Sequence, residues 1–226
     1  MNYFLSALRW LADSANWRGP SGIGARLLEH VILTLGVVGI AAAIALPIGI
    51  VVGHTRRGAG VVGAVVGSAR SIPTLGLLTI FGLILGIGLD APIIALVILA
   101  IPSLLAGAYS GIQSIDPAVP AAATAIGMSP AQVVFRVELP LALPAILSGL
   151  RTGFTLSVTG AVIGEMTMGG KGLGMVLASQ RQSVDTAGLF STIAVLCIMA
   201  TSIHWCLQEL ERRSRVVDSL RGRRAT

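Results

Sequence analysis

The sequence predicts an all-α integral membrane protein with five membrane-spanning helices. Of its 226 residues, 54% are hydrophobic and only 12% are charged, and the mean hydropathy is +0.86. A soluble domain usually carries about 25% charged residues. In addition, five stretches are mostly apolar over the roughly 20 residues that a helix needs to cross a bilayer. These two observations indicate a multi-pass membrane protein.

Residues 1–26 are predicted to form an amphipathic segment that lies on the membrane surface and does not cross it. Phe4, Leu8 and Leu11 fall on one face of a helix in this segment. Trp10 is an aromatic residue of the kind that is enriched at membrane interfaces. The segment is therefore expected to contact lipid from the side.

The membrane-spanning domain is predicted over residues 27–210. Pro73 interrupts its second apolar stretch, and proline cannot donate a backbone hydrogen bond. We expect one kinked or broken helix there, with two separate helices as the alternative. The five predicted spans cover residues 27–53, 59–88, 91–112, 141–165 and 187–210.

The distribution of Arg and Lys predicts the orientation. Cytoplasmic connections carry an excess of these residues. Residues 211–226 form a basic tail. If the chain has five spans, this tail lies on the same side of the membrane as the connections after the first and third spans. These three regions together hold nine Arg or Lys, and the regions on the other side hold five. The N-terminus is therefore predicted outside and the tail in the cytoplasm. No folded nucleic-acid-binding domain accompanies the tail, so nucleic acid is not an expected partner.

Glycine spacing indicates closely packed helices. Pairs such as Gly107/Gly111 and Gly149/Gly153 recur at i, i+4. Small residues one turn apart on a helix allow two helix backbones to approach closely in a membrane. We expect a compact bundle.

Three ionisable residues, Glu29, His30 and Glu165, fall at the ends of predicted spans. Ionisable residues inside a membrane are functional candidates by default. Because water is near a span end, we interpret these three as structural or interfacial. His54 and His204 are isolated and give no metal-ligand spacing, so no metal site is predicted.

The fourth span carries a polar stripe. Ser148, Thr152, Thr155 and Thr159 follow steps of 4, 3 and 4 residues, which places them on one helical face. One interpretation is that the stripe lines a translocation path. The other is that the hydroxyls bond to their own backbone or to a neighbouring helix.

A connection between the third and fourth spans contains two helix starts. Asp116 can cap a helix that begins after it, and Gly127 is placed to end that helix. Ser129 and Gln132 have the spacing of a capping box, with Pro130 at the first helical position. The connection is therefore predicted to be helix, Gly turn, helix, on the cytoplasmic side.

We name residues 114–140 the coupling loop. Val133, Val134, Phe135 and Val137 make its second helix apolar. A short apolar helix outside the bilayer can dock into a groove of a partner. The alternative is a connector that lies on the rim of the bundle, and the residues alone leave both open.

The coupling loop resembles the cytoplasmic loop of ABC-importer permeases. The family pattern is Glu-Ala-Ala, three residues, Gly, nine residues, Ile, one residue, Leu-Pro. Ala122 and Ala123 match the two Ala, Gly127 matches the Gly, and Leu139 and Pro140 match the Leu-Pro, with both spacings kept.

Two positions of the pattern differ in this chain. Val137 stands where Ile is usual, and Ala121 stands where Glu is usual, which removes one possible charged contact to a partner. In that family the loop docks into a cleft of a separate ATPase subunit and transmits its closure. The resemblance implies that the coupling surface consists of Ala122, Ala123, Gly127, Met128, Ser129, Phe135, Leu139 and Pro140.

Three further stretches, "IPTLGLL", "ELPLALPAILSGLRTG" and "GGKGLG", are similar to the osmoprotectant branch of the same family. This resemblance implies the MetI-like permease fold and transport of glycine betaine, choline, carnitine or proline, with another small solute as the alternative. It implies a bacterial cell membrane protein without cofactor or catalytic residue. The implied partners are a dimer of ATPase subunits that binds ATP and Mg, a second permease chain (identical or related), an extracytoplasmic solute-binding protein and membrane lipid.

Other classes of protein fit less well. "GGKGLG" lacks the earlier Gly and the following Ser or Thr of a phosphate-binding loop. A stand-alone secondary transporter or channel would be expected to show inverted repeats or acids near the membrane midplane, and neither is evident. A membrane enzyme would need a carboxylate pair, a zinc motif or a nucleophile with its base, and none is evident.

Overall fold

The structure is a computed structural model that describes residues 2–69 and 71–223, with side chains for residues 2–68 and 71–214. Within these residues the chain consists of helices and short connections. A 3₁₀ turn covers Ser14–Asn16 and a π-helical turn covers Val134–Glu138. The α-helices are α1 (Tyr3–Ala12), α2 (Ile23–Thr55), α3 (Ala59–Ala69), α4 (Thr74–Leu85), α5 (Asp90–Gln113), α6 (Ala118–Ala125), α7 (Pro130–Val133), α8 (Leu139–Met168), α9 (Leu173–Gln182) and α10 (Thr186–Arg223).

Four helical segments of the described chain are long and apolar enough to cross a membrane. They correspond to the first, third, fourth and fifth predicted spans, and each is longer than predicted. Because α2 begins at Ile23, the N-terminal segment ends before residue 26. The backbone of α10 continues as one helix through Arg223, so the basic tail extends the last span. The four segments are Ile23–Thr55, Asp90–Gln113, Pro130–Met168 and Thr186–Ser214.

The second predicted span is two helices, which corrects the expectation of a single kinked one. α3 has 11 residues and α4 has 12. At 1.5 Å per residue each is about 17–18 Å long, short of the roughly 30 Å of a bilayer core. Pro73 precedes α4 in an extended conformation, with φ −69° and ψ 123°. An extended residue cannot continue a helix, so α3 ends before it.

The chain divides into two compact units, and every long helix contributes residues to both. Unit 1 comprises residues 1–38, 72–98 and 154–203, and unit 2 comprises residues 39–71, 99–153 and 204–226.

A hydrophobic cluster in unit 1 joins α2, α9 and α10. Ile23, Leu173 and Val195 are buried in it, and Trp10 and Leu11 of α1 pack against it. The N-terminal helix is therefore fixed to unit 1 by its own apolar side chains.

The apolar face of α1 differs from the predicted one. Leu11 packs inward together with Trp10, whereas Phe4 and Leu8 are exposed. The hydroxyl of Ser191 donates to the carbonyl of Ala7 at 3.0 Å, which ties α1 to α10. The predicted contact with a membrane surface thus depends on Phe4 and Leu8.

Close helix approaches define the core of unit 2. A Cβ atom added to Gly107 would lie 2.9 Å from the Cα of Gly149, so α5 and α8 touch backbone to backbone at this point. This confirms the packing that the glycine spacing predicts. The cluster beside it contains Ala108, Ile112, Ala142 and Ile146, with Leu46 and Ile50 against it.

Candidate functional site

The two helix starts of the coupling loop are fixed as predicted. The Oδ1 of Asp116 accepts a hydrogen bond from the N–H of Ala118 at 2.9 Å. The capping box is complete, because the hydroxyl of Ser129 accepts from the N–H of Gln132 and the side chain of Gln132 accepts from the N–H of Ser129. These bonds satisfy N–H groups that a helix start otherwise leaves unpaired.

Gly127 ends α6, also as predicted. Its φ is +91°, a left-handed conformation that glycine adopts most readily. Its N–H donates to the carbonyl of Thr124 at 2.9 Å, and the N–H of Met128 donates to the carbonyl of Ala123 at 3.2 Å. This pair of bonds is a Schellman motif, which closes the C-terminal end of α6.

The predicted order of helix, Gly turn and helix is present, and the second helix runs on into the fourth span without a break. Helical structure is continuous from Pro130 to Met168, and it passes through the π turn Val134–Glu138. In an α-helix, Pro140 would leave the carbonyl of Arg136 without a donor and its ring would clash with that carbonyl. The π turn occupies the positions just before Pro140, so the regular bonding of an α-helix is already interrupted there, and the N–H of Leu139 donates to the carbonyl of Val134.

The coupling loop presents apolar side chains to the outside, at Ile126 after α6 and at Phe135 in the π turn after α7. Phe135 is 70% exposed and Ile126 is 79% exposed, although both are large and hydrophobic. Ala123 is buried beneath them, so it supports the surface without forming it. Among the other predicted coupling residues, Ala122, Gly127 and Ser129 are exposed, whereas Met128, Leu139 and Pro140 are partly buried.

A His–Glu pair holds the base of the coupling loop. The Nδ1 of His54 lies 2.7 Å from the Oε2 of Glu138, and the guanidinium of Arg56 donates to the carbonyl of Ile115 at 3.2 Å. The sequence analysis treated His54 as isolated, because its partner is 84 residues away. These contacts fasten the end of α2 to both ends of the loop.

A second His–Glu pair lies inside unit 1. The Nδ1 of His30 is 2.9 Å from each carboxylate oxygen of Glu165, and both side chains have no exposed surface. The Oε2 of Glu165 also accepts from the N–H of Gly174 at 2.8 Å. The span-end position of these residues predicted contact with water, but they are buried against each other.

Glu29 fixes the same Gly-rich connection from its other side. Its Oε2 accepts from the N–H of Gly172 at 3.0 Å and pairs with Arg26 at 2.9 Å. Two carboxylates, one from α2 and one from α8, thus hold the turn between α8 and α9. Lys171, directly before the anchored positions, is exposed.

The polar stripe of the fourth span follows the backbone-bonding interpretation at two positions. The hydroxyl of Thr152 donates to the carbonyl of Ser148 at 3.0 Å in unit 2. In unit 1 the hydroxyl of Thr159 donates to the carbonyl of Thr155 at 3.2 Å. All three threonines are exposed and Ser148 is partly buried. A role in a translocation path stays a prediction.

The four long apolar helical segments of the described chain define the class of protein, which is one that is embedded in a membrane. Its sequence identifies the family. Residues 45–216 match the family described as the inner membrane component of binding-protein-dependent transport systems. The chain belongs to this family, and it is a multi-pass protein of the bacterial inner membrane.

Individual relatives agree with this assignment. The chain is 31% identical to the glycine betaine/carnitine/choline transport system permease OpuCD of Bacillus subtilis, over 86% of this chain and 85% of that protein. It is 30% identical to the choline transport system permease OpuBB of the same organism, over 82% of this chain and 85% of that protein. Its fold is similar to an inward-facing structure of the MetNI methionine ABC transporter, with a TM-score of 0.69, 25% identity and coverage of 83% and 93%.

Proposed function

We propose that this chain is the permease subunit of an ATP-driven importer that carries a small osmoprotectant such as glycine betaine, choline, carnitine or proline. Support comes from the two Bacillus permeases, whose names specify choline, glycine betaine and carnitine. The structural neighbour transports methionine. Another small solute is therefore the second candidate.

The coupling loop is proposed to contact a dimer of ATPase subunits that binds ATP and Mg. The observation that carries this proposal is the exposure of Ile126, beside the capped turn, and of Phe135, in the π turn that follows α7. Large apolar side chains on a rigid, polar segment are typical of a protein–protein contact. ATP chemistry takes place in the partner, and this chain needs no cofactor of its own.

Five membrane crossings are proposed, with α3 and α4 together completing the second. The N-terminus lies outside and the C-terminal end of α10 lies in the cytoplasm. A second permease chain, identical or related, completes the path, because the threonines of the stripe are poor lipid contacts. A binding protein delivers the solute at the outer side.

Uptake into proteoliposomes tests the function. The permease is reconstituted with its ATPase and binding protein, and radiolabelled glycine betaine, choline, carnitine, proline and methionine are compared with and without ATP inside the vesicles. We expect ATP-dependent uptake of an osmoprotectant. Uptake of methionine alone would identify the second candidate, and uptake driven by an ion gradient without ATP would indicate a secondary transporter.

Cysteine labelling tests the orientation. Single cysteines replace Arg56, Ser129, Arg215 or Lys171 in a background without Cys197 and Cys206. A membrane-impermeant maleimide applied to intact cells is expected to label only Lys171→Cys. Labelling of Ser129→Cys from outside would contradict both the orientation and the coupling surface.

A further inference from the structure

A cavity opens beside the coupling loop in unit 2. Its volume is about 300 Å³. The end of α2, helix α6 and the start of α7 form its walls, with no contribution from the exposed Phe135. The lining residues are His54, Arg56, Pro117, Pro120, Ala121, Thr124, Pro130, Val133 and Glu138.

Arg56 brings a positive charge to this cavity. Within the described part of the chain its guanidinium makes one hydrogen bond, to the carbonyl of Ile115, and no ion pair. A guanidinium has five N–H donors, so most of them are available at the cavity. The backbone of Arg56 is left-handed, with φ +52°. Residues other than glycine seldom adopt this conformation, which here turns the chain so that Arg56 lines the cavity.

The carboxylates near Arg56 are engaged elsewhere. Glu138 also lines the cavity, but only 6% of its side chain is exposed and its Oε2 is bonded to His54. Asp116, next to Ile115, accepts from the N–H of Ala118. Neither lies within ion-pair distance of Arg56. The cavity mouth therefore offers a guanidinium that lacks an acidic partner.

Ala121 makes room for such a partner. It lines the same cavity, and its methyl group leaves open the space that a longer side chain would occupy. The usual residue at this position of the family pattern is Glu. Among the residues whose side chains the structure describes, no carboxylate pairs with Arg56, which leaves this position open to a carboxylate from another molecule.

We infer that the cavity receives an Asp or Glu side chain of the partner ATPase subunit, which forms an ion pair with Arg56. This inference rests on the proposed function, because it assumes that the coupling loop contacts an ATPase. It adds a second contact from the connection after α2, which the family pattern does not include. An arginine fork binds a carboxylate with two parallel hydrogen bonds, which fixes orientation as well as charge.

A protein side chain suits the cavity better than a free anion. Three prolines and Val133 form an apolar part of the walls beside the polar one, and this part fits the methylene groups of Asp or Glu. The exposed Phe135 and Ile126 on the same loop provide the adjoining apolar contact. A free anion such as phosphate would have a single guanidinium to bind and would make none of these apolar contacts.

Binding of the ATPase subunit to the permease in lipid nanodiscs tests the inference. The variants are Arg56→Glu and Arg57→Glu, since Arg57 is the neighbouring exposed arginine that does not line the cavity. We expect Arg56→Glu to weaken binding by about tenfold or more and Arg57→Glu by no more than about threefold. Arg56→Lys keeps the positive charge but loses the two parallel N–H donors of the guanidinium. Its affinity for the ATPase subunit is expected to lie between those of Arg56→Glu and the wild type. Monodisperse elution and an unchanged unfolding midpoint confirm that each variant is folded.

A charge exchange identifies the partner residue. Each acidic residue on the surface of the ATPase is replaced by Arg, and one replacement is expected to restore binding to Arg56→Glu while weakening binding to the wild type.

Three results separate the possible failures. If wild-type permease does not bind the ATPase and takes up solute without ATP, the proposed function fails and this inference fails with it. If the wild type binds but Arg56→Glu and Arg57→Glu weaken binding equally, or no exchange restores it, only the inference is overturned. Saturable binding of inorganic phosphate to the permease alone, abolished by Arg56→Glu, would show that the cavity holds a free anion and would also overturn it.

Discussion

The two His–Glu pairs of this molecule have the same chemistry and opposite surroundings. His30 and Glu165 in unit 1 have no exposed surface, and the carboxylate uses both oxygens. In the pair of unit 2, 31% of the His54 side chain is exposed, and it lies at the wall of a cavity. Water can replace a lost partner at the second pair but not at the first.

The glycine turns beside these pairs differ in the same way. A Cβ on Gly172 would collide with the carboxylate of Glu165, whereas a Cβ on Gly127 would have no atom within 4 Å. The first turn is packed against its anchors on distant helices, and the second is fixed by hydrogen bonds to residues within a few positions of it. The difference teaches that one turn is part of the core of its unit, while the other keeps a free surface.

The largest expected effect is that of Glu165→Ala. It leaves the ring of His30 and the N–H of Gly174 buried without an acceptor, and loss of one member of a buried pair costs about 3–5 kcal/mol. The free energy of unfolding in urea, followed in detergent, measures the loss. The matched control is Glu138→Ala, for which we expect about 1–2 kcal/mol because water reaches His54. Equal losses would remove the distinction between the pairs.

The next effect concerns the packed glycine turn. Gly172→Ala is expected to cost about 2–3 kcal/mol, because it combines a positive φ of 111° with the collision with Glu165. Gly170→Ala is the control, since its φ of 139° is also positive but its Cβ would meet only the flexible end of Leu89. The free energy of unfolding of the control is expected to fall by about 1 kcal/mol. If both variants lose the same amount, the anchoring carboxylate does not confine the turn.

The open turn is tested by Gly127→Val. Space is available, so the cost of about 1–2 kcal/mol comes from the left-handed backbone alone. Because the turn orients the coupling surface, we expect less uptake per ATP hydrolysed by the reconstituted transporter. Gly127→Asn is the control, since Asn tolerates this conformation and should retain coupling. Wild-type uptake per ATP in Gly127→Val would contradict the role of the turn.

The smallest effect is expected for His54→Gln. The amide of Gln can donate to Glu138, and a partly exposed site tolerates imperfect geometry, so the loss should stay below about 1 kcal/mol. His30→Gln places the same amide in the closed pocket of unit 1, where a misplaced donor cannot be replaced by water, and we expect a larger loss. Urea unfolding of both variants measures the difference. A larger loss for His54→Gln would reverse the comparison.

The sequence predicted the features that depend on neighbouring residues. Asp116, Gly127 and Ser129 end or begin helices as expected, because caps use side chains within a few positions of the backbone they satisfy. The long spans were also predicted, since apolar length alone identifies them.

The sequence analysis missed the two anchoring pairs. His30 and Glu165 are 135 residues apart, and each looks like an ordinary residue at a span end. Only the packing of α2 against α8 brings them together within unit 1. The Gly-rich turn that follows Glu165 could have indicated that a buried carboxylate packs against it. Glycine is often found where another group approaches the backbone closely. The break at Pro73 was recognised, but its consequence for the helix count depends on backbone angles that the sequence does not give.

The π turn Val134–Glu138 gives the fixed spacing of the coupling loop a further meaning. A π turn accommodates one more residue than the α-helix that would replace it. Each residue of an α-helix turns the chain by about 100°. Deleting one residue within the π turn would therefore restore an α-helix and leave the direction of the capped turn almost unchanged. Deleting a second residue would shorten the α-helix itself, and it would turn the capped turn about a quarter of the way around the axis. The nine residues between Gly127 and Val137 therefore set the direction in which the coupling surface faces. Insertions and deletions that the π turn does not absorb would rotate this surface about the helix axis while leaving its distance from the membrane almost unchanged.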